Sequence, residues 1–176
     1  MAIWFMRMSA AICLASIVGV LSLVGADWYA EVRDRAAMAA AQQHVQDLGG
    51  SFFAEPADDM VIMLNDAAIG DAQIELLVVD LRALNRRSSH LPRSFAFNLA
   101  GTQVGDKGVQ AISTLPVAWL NLNGTQVTDQ GLHHLRNQPR LNLVTVAGTK
   151  VTRPAMDEMR TALPQLLIFV SDQRRP

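Results

Sequence analysis

From Phe97 onward the chain repeats one pattern: apolar and polar residues alternate briefly, then the apolar positions spread to helical spacing. In LNLNGTQVTDQGLHHL, which starts at Leu120, Leu120 and Leu122 alternate with Asn121 and Asn123, as in a half-buried strand. Leu132 and Leu135, three apart, then mark the inner side of a helix. FNLAGTQVGDKGVQAI, from Phe97, and VTVAGTKVTRPAMDEM, from Val144, run in the same frame. Written once, the frame is LxLxGTxVTDxGLxxL. Its Gly-Thr pairs, Gly101-Thr102, Gly124-Thr125 and Gly148-Thr149, recur at intervals of 23 and 24 residues. A period in the twenties with one strand and one helical segment per copy predicts an α/β solenoid. Its parallel strands would line a concave face and its short helices a convex one.

Each position has a physical role. Thr102, Thr125 and Thr149 would turn inward after the strand and satisfy backbone groups between neighbouring turns. Val127 plugs the core. Thr128 or Asp129 caps the helix that follows, and Asp106 holds the same place one copy earlier. Pro116, Pro139 and Pro164 break each helix before the next strand. Upstream, Ile62 to Asp71 (IMLNDAAIGD) matches FNLAGTQVGD in register, with Ile69-Gly70-Asp71 parallel to Val104-Gly105-Asp106. The distance from Ile62 to Phe97 is 35 residues, about a dozen too many for one copy. The excess falls in LRALNRRSSHLPRSF, 81–95, as a longer helix and loop. The expected repeat domain, 61–171, thus holds a degenerate unit at 62–96, clear units at 97–119, 120–143 and 144–168, and a terminal strand at 169–171. So few units place weight on capping at both ends.

These residues resemble the Gly-Thr-x-Val-Thr-Asp class of leucine-rich repeat. That class occurs in short bacterial extracytoplasmic proteins and is related to the cysteine-containing repeats of F-box proteins. The resemblance covers Val61 to Ser171, and the Leu48-Gly49-Gly50 that precedes it resembles how such chains begin. Gly105 departs from the pattern in the first clear unit, and Arg153-Pro154 in the third, which affects the regularity of those helix starts. The resemblance implies a non-catalytic scaffold that binds protein partners.

The amino end has a different pattern. Met8 to Ala26 is 19 residues without a charge, roughly 28 Å as a helix, close to the ~30 Å hydrocarbon core of a bilayer. Arg7 precedes it, and Asp27 and Glu31 follow, so the positive-inside bias puts residues 1–7 in the cytoplasm and the rest outside. The segment reads as a retained transmembrane anchor. The alternative is a signal peptide cleaved near Ala26, where Val24-Gly25-Ala26 offers small residues. Trp28 and Tyr29 suit the membrane interface. Residues 27–50 favour a juxtamembrane helix stopped at Gly49-Gly50. That helix is a spacer or stalk, or a cover for the open end of the repeats; the lack of a sustained heptad favours the cover.

Composition adds boundaries. The chain has 176 residues, is 50% hydrophobic and has a formal net charge of -1, so nothing global points to nucleic acid. Mean hydropathy is +0.17, with much of the excess at the amino end. The single cysteine, Cys13, lies in the apolar segment, a poor setting for a reactive thiolate.

Several groups invite chemistry, and each has a simpler reading. His133-His134 are helix neighbours about 100° apart, with no third ligand near in sequence, so they read as surface positions and not as zinc ligands. Asp58-Asp59 and Asp157-Glu158 read as solvated pairs, because acid-base work needs environments that separate the two pKa values. No nucleophile elbow, phosphate loop or dinucleotide fingerprint is present. We therefore expect no catalytic residues, no metal, no cofactor, no small-molecule substrate and no nucleic-acid partner.

Arg82, Arg86, Arg87 and Arg93, with His90, form the basic cluster. It is either a contact for anionic lipid, polymer or an acidic partner, or a solvated helix end where cations complement the dipole. The strand face is the stronger binding candidate. Its outward positions are Ala96, Asn98 and Ala100; Trp119, Asn121 and Asn123; and Leu143, Thr145 and Ala147. Asn98, Trp119, Asn121, Asn123, Leu143 and Thr145 would meet a protein partner, unless Trp119 folds over to shield the core edge. The expectation is a single-pass extracytoplasmic interaction module, tethered through its amino-terminal helix. The rival is a structural or self-associating envelope protein whose basic insertion touches anionic envelope components. An intracellular adaptor role, as in F-box relatives, conflicts with the apolar segment.

Overall fold

The computed structural model describes residues 35–54, 59–65, 68–87 and 94–170. The expectations for 1–34, the anchor or signal segment among them, lie outside these residues. Among the described residues no helix is long and apolar enough to cross a membrane.

The described chain is α/β. Helix α1 covers 35–47. It is followed by β1 (Ser51–Ala54), β2 (Asp59–Met63), α2 (Asp71–Arg87), β3 (Ser94–Asn98) and α3 (Asp106–Ile112). Then come β4 (Val117–Asn121), α4 (Asp129–His133), β5 (Leu143–Thr145), α5 (Arg153–Ala162) and β6 (Leu167–Phe169). The six strands form one sheet in chain order. β1 is antiparallel to β2, and every later neighbour is parallel.

The inward positions of strand, loop and helix meet in one core. Phe97, Leu120, Val144 and Ile168 stand side by side on β3 to β6, all buried. Val104 and Val127 plug the loops, and Val109, Ile112, Leu132 and Leu135 come in from the helices. Gly101, Gly124 and Gly148 turn the chain out of each strand at φ 73°, 68° and 68°, a conformation costly for any residue with a Cβ. Ile62 lies beside Phe97 in the β2–β3 register, the alignment read from the sequence.

The extra length upstream is mostly helix. α2 has 17 residues, and Ile74, Leu77, Val78, Leu81 and Leu84 form its buried stripe. The segment 81–95, read from the sequence as a longer helix and loop, divides as α2 up to Arg87 and β3 from Ser94. Leu81 and Leu84 are core residues of α2, and Ser94 and Phe95 already belong to β3. The helical period simply continues past residue 80.

Two elements at the sheet edges differ from expectation. β1 was not foreseen: four residues, SFFA, show no alternation by which a strand could be recognised. The last strand lies at Leu167–Phe169, two residues ahead of the expected 169–171. The run LLIFV is apolar throughout, so only the register with Leu143–Thr145 fixes its frame.

Gly49-Gly50 does end α1. The Gly50 N–H donates to Val45 O at 2.9 Å and the Gly49 N–H to Gln46 O at 2.8 Å, with Gly49 at φ 78°. This is a Schellman cap. A Cβ on Gly50 would run into Leu64 and the Met63 carbonyl, so the second glycine serves close approach to β2. Ala41 and Val45 are fully buried in the core, and His44 Nδ1 lies 2.7 Å from Asp80 Oδ2 of α2.

Candidate functional site

The repeat's polar residues hold the scaffold, though not in the expected way. Thr102, Thr125 and Thr149 each donate from Oγ1 to the carbonyl three residues back, Leu99, Leu122 and Val146, at 2.7 Å. Each bond stays within one unit. Around these threonines the bonds between units are made by backbone: Gln126 N–H to Val104 O at 2.9 Å, Gly124 N–H to Ala147 O at 2.7 Å. Four residues past its strand, each threonine closes its own turn and does not bridge to the next coil.

The aspartates reach across units. Asp106 Oδ1 accepts from Thr128 N–H (2.8 Å) and Gly131 N–H (3.0 Å), and Oδ2 accepts from Thr128 Oγ1 (2.7 Å). Asp71 accepts from Gly105 N–H and Gly108 N–H at 2.7 and 3.0 Å. Asp129 accepts from Thr152 N–H and Oγ1 at 2.7 and 2.8 Å. Each carboxylate thus caps the helix of the following unit, where free N–H groups and the helix dipole favour negative charge. For its own helix, α4 relies on Thr128, whose Oγ1 accepts from Gln130 N–H at 3.2 Å.

This explains the glycine that follows. A Cβ at Gly131 would run into Asp106 Oδ1, and one at Gly108 would lie 2.7 Å from Asp71 Oδ1. In the last unit the equivalent residue is Ala155, and Asp129 makes only the two bonds to Thr152. Pro154 there has no N–H for Thr152 to accept, and α5 accordingly lacks a side-chain cap bond. The departures at Gly105 and Arg153-Pro154 alter capping and leave the helices in place.

The other face of the sheet carries the candidate site. Strand registers align Phe53, Val61, Ala96, Trp119, Leu143 and Leu167 in one row across all six strands. The adjacent row is Ser51, Met63, Asn98, Asn121, Thr145 and Phe169. Directly paired residues share a face, so these are two bands, one wholly apolar. All members are half-buried or exposed; Phe53 is 54%, Leu167 60% and Phe169 56% exposed. A register shift between Phe95 and Ala96 leaves Ala118 as the extra residue of β4. That bulge lets Val117 and Leu120 both point inward while Trp119 joins the outer row.

The structure brings Asn98, Trp119, Asn121, Asn123, Leu143 and Thr145 together as expected, and it also assigns their polar atoms. Asn121 Oδ1 accepts from Thr145 Oγ1 (2.6 Å) and from Asn123 N–H (3.1 Å). Asn123 Oδ1 accepts from Ala147 N–H at 2.8 Å, and Asn98 Oδ1 from Ala100 N–H at 3.2 Å. The amide oxygens are therefore part of the scaffold. Trp119 is half-buried, and its Nε1 is enclosed without a hydrogen-bond partner. The indole turns its nitrogen edge away from solvent, so the ring partly covers the face.

Sequence reasoning missed Phe53, Leu167, Phe169 and Val170. For Leu167 a signal existed: it stands 24 residues after Leu143, the period of the repeat itself. For Phe53 there was none, because β1 lies outside the repeat.

The remaining candidates are dispersed. Arg82 donates from Nε to Thr114 Oγ1 at 2.8 Å, tying α2 to α3. Arg86 and Arg87 close α2, while His90, Arg93 and Asp58 lie outside the described residues. Asp59 opens β2. Asp157 Oδ1 meets Arg160 Nη1 at 2.9 Å on the exposed side of α5. His133 and His134 border an open cleft of about 480 Å³ with Asp129 and Glu158, and Arg136 Nη1 lies 3.3 Å from His133 Nδ1. Among the described residues no three His, Cys, Asp or Glu side chains are grouped to hold a metal. No protein-family model and no curated protein matches the chain.

Proposed function

We propose that this protein is a leucine-rich-repeat module of the Gly-Thr-x-Val-Thr-Asp type that binds a protein partner on its strand face and performs no catalysis. The observation that carries this reading is the apolar row from Phe53 to Leu167, continuous over six strands and flanked by Asn98, Asn121 and Phe169. Contiguous exposed apolar surface of this kind marks interaction sites. Aromatic anchors beside fixed amides suit a protein surface. In this reading residues 8–26 tether the module, and the face works on the extracytoplasmic side.

The test is photo-crosslinking in cells, with a reactive residue at Leu167 or at Trp119 and a control at His133 on α4. A dominant adduct to one other protein from the two face positions, absent from the control, is the expected result. Adducts no different from the control would sink the proposal.

A further inference from the structure

The helices do not all have the same outer surface. On α3, α4 and α5 the exposed positions are mostly polar, among them Lys107, Gln110, Gln130, His133, Asp157 and Glu158. α2 differs. Opposite its buried stripe it carries a second apolar one, Ala72, Leu76, Val79 and Ala83, spaced four, three and four residues apart. Leu76 is 63% and Val79 60% exposed. That spacing keeps all four on one line of a helix and is the seam of a helix pair. Small residues at its ends and large ones at its centre let a second helix lie close.

Charges flank the stripe unequally. Glu75 and Arg82 lie on the side facing α3, where both border a groove of about 350 Å³ with Lys107 and Gln110. On the other side Asp80 is engaged with His44 of α1. A two-fold axis crossing the stripe between Leu76 and Val79 turns the second helix antiparallel. It also keeps the Glu75–Arg82 side of one copy against the same side of the other. Glu75 then falls within one turn of the other copy's Arg82, and the pair occurs twice. Leu76 of each copy meets Val79 of the other, and Ala72 meets Ala83. A parallel pairing would set Arg82 against the flank that His44 already occupies.

We propose that α2 is a self-association surface through which two copies of this chain pair, antiparallel, along Ala72, Leu76, Val79 and Ala83. The stripe is only roughly 16 Å long, below the span of a standard interface, so the dimer is weak and reversible. This surface is on the helical side and is independent of the strand face.

The test is sedimentation of the full chain, held in a mild non-ionic detergent, up to about 100 µM. A monomer–dimer equilibrium is expected. Leu76→Asp weakens it by at least roughly 30-fold, since it removes apolar burial from both copies. Glu75→Arg and Arg82→Glu each weaken it by roughly tenfold, because each sets like charges together twice. The double variant E75R/R82E restores dimerisation, and a mixture of the two single variants forms mixed dimers in preference to either alone. Circular dichroism of the Leu76→Asp and Glu75→Arg variants, both at exposed sites, stays unchanged, and Phe169→Ser on the strand face leaves the dimer constant alone. A chain that stays monomeric at every concentration overturns the proposal; covering of the stripe by the chain's own residues 1–34 would give that result. A double variant no better than the singles overturns the antiparallel pairing.

Discussion

At one edge of the sheet β1 runs against the direction of all other strands, and Ala41 and Val45 of α1 are buried beside it. At the other edge β6 follows the repeat and stops, with Leu167, Phe169 and Val170 exposed at 60, 56 and 50%. The two edges of the sheet are finished differently. The first is closed by elements from outside the repeat, which bury apolar surface. At the second, the position that holds Asp106 and Asp129 in the earlier units is taken by Arg153, which is no acceptor. A short edge strand next to a cation is a common guard against further pairing. Leu167 and Phe169 belong to the two bands of the strand face, and Leu167 ends the proposed docking row.

The largest expected effect tests whether interior units depend on the carboxylate ladder more than the last one. Asp106→Ala removes the acceptor of three hydrogen bonds and strands part-buried N–H groups, a loss of about 3 kcal/mol. Asp129→Ala removes two bonds in a more exposed setting and costs about 1 kcal/mol. Urea unfolding followed by circular dichroism compares them; equal losses would break the distinction between interior and end.

Next in size is the contrast between edges. Val45→Ala, at the closed edge, should cost about 2 kcal/mol in lost burial and a partly unfilled cavity. Leu167→Ala, at the open edge, should stay within about 0.5 kcal/mol, because the side chain is already in water. The same substitution should nonetheless lower the cross-linking yield from Trp119 several-fold. A large stability loss at Leu167 would mean that the open edge is structurally covered.

The regular part of this fold was legible in the sequence, because its signals are local. Alternation around Leu120 and Leu122, the positive-φ glycines and the helical leucines all act within one unit. Ile62 opposite Phe97 could be read from a pattern of ten residues. The aspartates were misplaced, because their bonds span 22 to 25 residues between Asp106 and Thr128 or Gly131. Their trace in the sequence is indirect: a glycine appears at 108 and 131, each in the unit after an aspartate. β1 was hidden because SFFA has neither alternation nor a repeat partner. The candidate face was half legible, since the outward positions follow from alternation while the full row needs β1 and the frame of β6. The stripe on α2 is present in the sequence, but four apolar residues among five buried ones cannot be told from core until burial separates them.

The smallest effect isolates the ladder's geometry from its chemistry. At Ala155 the Cβ occupies the place that the empty side of Gly131 leaves to Asp106. Ala155→Gly should therefore let Asp129 accept a third N–H and make the last unit resemble the one before it. Taken alone, the change nearly cancels: glycine in a helix costs up to about 1 kcal/mol, more than one exposed charged hydrogen bond reliably returns. A double-mutant cycle removes that background, because the backbone cost of glycine is the same whether residue 129 is Asp or Ala. The coupling between Ala155→Gly and Asp129→Ala should be about 0.5 to 1 kcal/mol, with glycine more favourable when the aspartate is present. Zero coupling would mean that carboxylate position in the last unit is set by Thr152 alone, and that the glycines at 108 and 131 answer only to packing against Val104 and Val127.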